Sequence, residues 1–83
     1  RCEYDGALPL LQEALAIQKS SLPAGHPHIA TTLNNLGALS KCLGDDDRAL
    51  HLYEEALAIR RAALPRGHPF IAASLHSLAT LHE

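Results

Sequence analysis

The sequence predicts an all-α fold: a solenoid segment of four helices arranged as antiparallel pairs. Three observations predict it. The chain repeats itself at an offset of 42 residues, so that Leu22-Pro23-Ala24-Gly25-His26-Pro27 returns as Leu64-Pro65-Arg66-Gly67-His68-Pro69, and 19 of the 41 pairs aligned this way are identical. A fixed period of this length marks units that each bury an apolar face on a neighbour. Apolar residues make up 47% of the chain, mostly Leu and Ala, and aromatics only 4%, a balance that favours helix over strand. The apolar stretches are joined by links of about four or five residues, short enough to force neighbouring helices antiparallel.

The first helix is expected from about Tyr4 to Leu22, with Leu8, Leu11, Leu15 and Leu22 apolar and Ala7 and Ala14 beside them. Pro9 falls early in it, where a proline is tolerated. The run Pro23 to Pro27 breaks it: Gly25 suits a left-handed C-terminal residue and Pro27 the first turn of the next helix. The second helix is expected over about His28 to Leu43. Ile29, Leu33, Leu36, Gly37 and Leu43 recur at three- and four-residue spacing, as one buried face requires. Gly44 ends it, and an aspartate among Asp45, Asp46 and Asp47 caps the third helix, Asp46 to Leu64. That helix carries two apolar rows, Ala49, Tyr53, Ala56 and Leu57 on one and Leu52, Ile59 and Ala63 on the other, which suits packing on both sides. The loop 65–69 repeats the earlier break, and a fourth helix runs from about Pro69 to the end with Ile71, Leu75, Leu78 and Leu81 inward.

Composition narrows the function. The net charge of −2 lacks the basic face that nucleic acid requires. No apolar run approaches the roughly 20 residues of a membrane span, and no signal peptide is evident. Cys2 and Cys42 do not make a disulfide framework, so idle or buried thiols and a reducing, cytoplasmic setting are expected. The chain opens at Arg1 without a methionine and both ends fall partway through a unit, which predicts a piece of a longer array.

The stretch from Ala30 to Arg61 resembles a tetratricopeptide repeat (TPR). Leu36-Gly37, Gly44-Asp45, Ala49, Tyr53 and Ala56 stand at the family's spacing. The reason is steric: Gly37 and the alanines let two helix axes approach and Tyr53 fills the space beside them. Leu33 replaces an aromatic and Ala79 a glycine, both small or apolar. The period of 42 rather than 34 residues is similar to the longer subtype of kinesin light chains. HEAT-type repeats have a similar period but do not explain Leu36-Gly37 with Ala49, Tyr53 and Ala56. The resemblance implies a right-handed superhelix in which residues 1–22 are the second helix of one repeat, 28–64 a complete repeat and 69–83 the first helix of the next.

It also implies a protein-interaction scaffold, cargo-adaptor-like in one version, whose first helices line a concave face. That face would hold Thr31, Asn34, Asn35, Ala38 and Lys41, and, one period later, Ala73, His76, Ser77, Thr80 and Glu83. Asparagine amides both donate and accept, so Asn34 and Asn35 suit the backbone of an extended peptide, or one of them bonds within the array. Leu33, Leu36, Gly37, Ala49, Tyr53 and Ala56 are the expected packing residues. The lysine-asparagine clamp of chaperone-binding relatives is missing, because Asn34, Ala38, His76 and Thr80 hold its positions.

No cofactor, metal or catalytic site is expected. His26 and His68 share a repeat position in the loops and read as structural, capping a helix or bonding a carbonyl. No carboxylate or cysteine joins them at ligand spacing, and Asp45 to Asp47 lack a calcium-loop pattern. No nucleophile-base pair or phosphate loop occurs. Lys19, Arg60 and Arg61 close their helices, where cations suit the dipole or make a patch for an acidic partner. The competing reading is a structural spacer, or end-to-end self-association through apolar faces such as Leu75 and Leu78.

Overall fold

The computed structural model describes residues 6–23 and 25–81. They form α1 (Ala7–Ser21), α2 (Pro27–Cys42), α3 (Asp46–Ala63) and α4 (Pro69–Leu81), with no strand among them. The helices fall where the periodicity puts them, within about a turn at each end; Tyr4, the expected start of the first, lies outside the described residues.

The two interhelix loops are built alike because their sequences are. In the first, the His26 amide donates to the Pro23 carbonyl at 3.1 Å and the Ile29 amide to the His26 carbonyl at 2.9 Å; in the second, His68 and Ile71 repeat these bonds at 3.1 and 3.0 Å. Gly25 and Gly67 turn both loops at φ of +80° and +84°, a conformation that side chains with a Cβ avoid. Each loop histidine then caps the helix that follows. The His28 amide donates to His26 Nδ1 at 3.1 Å, and the Phe70 amide to His68 Nδ1 at 3.0 Å. The capping reading of these histidines therefore holds. At α3 the cap is Asp45, whose carboxylate accepts from the Arg48 amide at 3.1 Å, with Asp46 and Asp47 in the positive first turn.

Packing follows the solenoid order. α2 and α3 make the most extensive pair, α4 packs on α3, α1 packs on α2, and α2 also touches α4. Thus α2 and α4 form one layer and α1 and α3 the other. The core lies where α2 meets α3: Ile29, Ala30, Leu33 and Ala56 are buried, and Leu15, Leu22, Leu52 and Ile59 pack around them. All six expected packing residues are buried. Burial of leucines such as Leu33 and Leu36 contributes about 1.5–3 kcal/mol each.

Candidate protein-binding face

The outward side of α2 carries Thr31, Asn35, Ala38 and Lys41, all exposed, while Asn34 is half-buried. The spacing explains this. These positions lie opposite the row of Ile29, Leu33, Leu36 and Ser40 that faces the core. Asn34 is different in kind. Its Oδ1 is buried and has no hydrogen-bond partner among the described residues, an arrangement that costs roughly 1–3 kcal/mol until something donates to it. On α4, Ala73 and His76 are exposed, whereas Ser77 and Thr80 are half-buried. Ser77 shares a hydrogen bond with the Tyr53 phenol, and the Thr80 hydroxyl donates to the Ser77 carbonyl at 2.7 Å. The Ser77 hydroxyl therefore joins α4 to α3, while the Thr80 bond stays within α4. Glu83 lies outside the described residues.

Asn35 and Ala38 meet in an apolar cleft of about 610 Å³, walled on the other side by Ala7, Leu10 and Leu11 of α1. Sequence periodicity alone does not reveal this cleft, because it marks Ala7 and Leu11 as apolar without saying what covers them. It opens because no helix covers that side of α1 among the described residues: Leu10 is 68% exposed.

Tyr53 stands at the centre of the packing motif. It is 3% exposed, and a Cβ placed on Gly37 would come within 2.6 Å of its ring. Burial pushes the phenol pKa above its ordinary value, and the bond with Ser77 offsets part of that rise.

Arg60 corrects an expectation. It stands in the last turn of α3 as expected, but the alternative of a surface patch with Lys19 and Arg61 does not include it, since only 5% of it is exposed. Its Nη1 donates to the Ser74 hydroxyl at 2.8 Å and to the Phe70 carbonyl at 3.1 Å, and its guanidinium lies 5.3 Å from the Phe70 ring centroid, within cation-π range. Burial lowers its pKa from the usual arginine value, yet arginine stays charged throughout the physiological range. The same seam recurs one period earlier in other chemistry: the Thr32 hydroxyl donates to Gln18 Oε1 at 2.6 Å. The signal was present in the sequence as a long polar residue at 18 and 60 and a small hydroxyl at 32 and 74.

The remaining cations separate. Lys19 pairs with Glu55 at 3.6 Å, both about half exposed, in a cavity also lined by Gly25 and Ile29. Arg61 and Arg66 line the corresponding cavity beside Gly67 and Ile71, of about 400 Å³. Cys42 is exposed at the end of α2 and disulfide-bonded, which corrects the expectation of an idle or buried thiol; Cys2 lies outside the described residues. No group of three or more His, Cys, Asp or Glu among the described residues could hold a metal ion, and no described helix is long and apolar enough to cross a membrane.

A comparison with characterised proteins gave no significant match. The family model for the tetratricopeptide repeat matches residues 1–62 of the 83. The steric pairing of Gly37 with Tyr53, the buried alanines on α3 and the alternating helix layers agree with that match. The chain belongs to the tetratricopeptide repeat family.

Proposed function

We propose that the outward face of α2 and α4 binds an extended peptide or a partner helix. Tetratricopeptide repeats generally mediate protein–protein interaction rather than catalysis; the choice of face and ligand is the proposal. The observation that carries it is the buried Oδ1 of Asn34, an acceptor with no donor among the described residues. A peptide backbone N–H laid along α2 would supply that donor. The exposed Asn35 amide and Lys41 offer further polar contacts, and the cleft beside Ala38 would take an apolar side chain. His76 holds the repeat position of Asn34 on α4 and extends the row.

A cargo-adaptor role is one version, motivated by the 42-residue period, which resembles that of the longer subtype found in kinesin light chains. A peptide-display screen tests the binding reading. The wild-type chain is screened beside an Asn34→Ala, Asn35→Ala, His76→Ala triple variant of equal helicity. Enrichment of a shared motif by the wild type, lost in the variant, supports it. A motif that both enrich equally would move binding off this face.

A further inference from the structure

We propose that His26 and His68 are proton-sensitive fasteners at the starts of α2 and α4, which let go in the same pH window when the surroundings turn acid. The two rings do the same work at the same repeat position. His26 Nδ1 accepts from the His28 amide at 3.1 Å, and His68 Nδ1 from the Phe70 amide at 3.0 Å. A backbone amide can only donate, so each Nδ1 is bare and each ring is neutral, with its proton on Nε2. A second proton goes to Nδ1. The cap then becomes a donor facing a donor, and a positive charge stands at the positive end of a helix. Both rings are half-buried, which limits how far water can compensate.

The two helix layers differ in this respect. α2 and α4 share a layer, and both begin on an imidazole cap. α3 begins on the Asp45 carboxylate, and α1 has no side-chain cap. Among side chains in their ordinary state, only histidine changes charge between about pH 5 and 8. Acid in that window therefore acts on the starts of α2 and α4 and leaves the start of α3 alone.

The charges around the loops offer an imidazolium little compensation. Beside His26 is the His28 ring, 4.7 Å away between centroids and itself titratable. Beside His68 is Phe70, at 4.8 Å, whose ring also faces the Arg60 guanidinium. Lys19 and Glu55 line the cavity at Gly25, and Arg61 and Arg66 that at Gly67. Glu55 is the one carboxylate in this set, and it pairs with Lys19. The release is local, because the loop bonds to the Pro23, His26, Pro65 and His68 carbonyls do not use the rings. Thr31, whose hydroxyl donates to the Pro27 carbonyl at 3.4 Å, and Ala73 are outward residues near the released turns. Acid thus loosens the outward side of α2 and α4 from its loop end. The inference holds whether or not that side binds a peptide.

Amide exchange on the full-length protein between about pH 7.5 and 5, corrected for the intrinsic pH dependence of exchange, tests this. Protection of the His28 and Phe70 amides should fall about fivefold relative to the Arg48 amide, the factor that loss of one side-chain cap amounts to. A His26→Asn, His68→Asn chain keeps a side-chain oxygen at both caps without an ionisable ring, and should show no such fall. Each single variant should lose the response in its own loop only. Nitrogen NMR of the wild-type imidazoles needs no substitution and should find both protons on Nε2 at about pH 7.5. A wild type whose three amides keep their relative protection, a double variant that responds like the wild type, or a proton already on Nδ1 at the higher pH would each overturn the proposal.

Discussion

The Tyr53 ring occupies the space that a side chain at Gly37 would need, 2.6 Å from where its Cβ would stand. Both residues are buried, so the ring has little room to retreat. Gly37→Ala gains about 1 kcal/mol of helix propensity and incurs about 1–3 kcal/mol of overpacking. Net destabilisation is expected, read as a lower urea midpoint. Adding Tyr53→Leu should recover part of the loss, because it removes the ring that the new Cβ would meet. A Gly37→Ala chain more stable than the wild type would show that the helices slide apart freely.

Arg60 should be among the most sensitive polar positions. Arg60→Ala leaves the Ser74 hydroxyl without its guanidinium partner and removes the buried stem, a loss of about 2–3 kcal/mol. Arg60→Gln installs the residue that Gln18 supplies one period earlier and should keep a larger share of the stability. Thermal unfolding of the two variants side by side decides it; equal losses would mean that the hydrogen bond to Ser74 contributes nothing.

The loop histidines should matter as acceptors. His68→Ala removes the cap on the Phe70 amide and is expected to cost about 1 kcal/mol, while His68→Asn keeps a short side-chain acceptor and loses less. Hydrogen exchange at the first turn of α4 reports the effect locally.

Alkaline stability should depend on Tyr53. Its folded pKa is raised above the ordinary value of 10.0 by burial, so the folded state favours the neutral phenol. The resulting stability is complete below about pH 10 and is lost as pH rises through the folded value, because the unfolded chain releases its proton first. Tyr53→Phe cannot ionise and should flatten that part of the pH profile. An unchanged profile would place the alkaline transition elsewhere.

Much of the fold was legible because it rests on local chemistry. Ile29, Leu33 and Leu36 announce a buried stripe by spacing, and the two Leu-Pro-x-Gly-His-Pro loops announce a turn and a cap by composition. What escaped depends on neighbours. Arg60 reads as a helix-end cation until Ser74 and the Phe70 carbonyl are seen to surround it. Ser77 reads as a groove residue until Tyr53 is placed beside it. Leu10 and Leu11 belong to a helix whose outer side no described helix covers, and periodicity marks a residue as apolar without saying whether its partner is present. Thr31, Asn34, Asn35, Ala38 and Lys41 are expected on the open side of α2 from the family resemblance and the helix register; all but the half-buried Asn34 are exposed. What they bind is set by a partner's shape rather than by their spacing.

The seam at Gln18 and Thr32, repeated as Arg60 and Ser74, bears on how such a gene changes length. A hydroxyl both gives and receives a hydrogen bond: Thr32 donates to an amide oxygen and Ser74 accepts from a guanidinium. Excising one period leaves Gln18 opposite Ser74, and duplicating one leaves Arg60 opposite Thr32. In both cases the hydroxyl can rotate to answer the group it meets. Unequal recombination between periods would thus add or remove a unit without first requiring a second, compensating mutation at this joint.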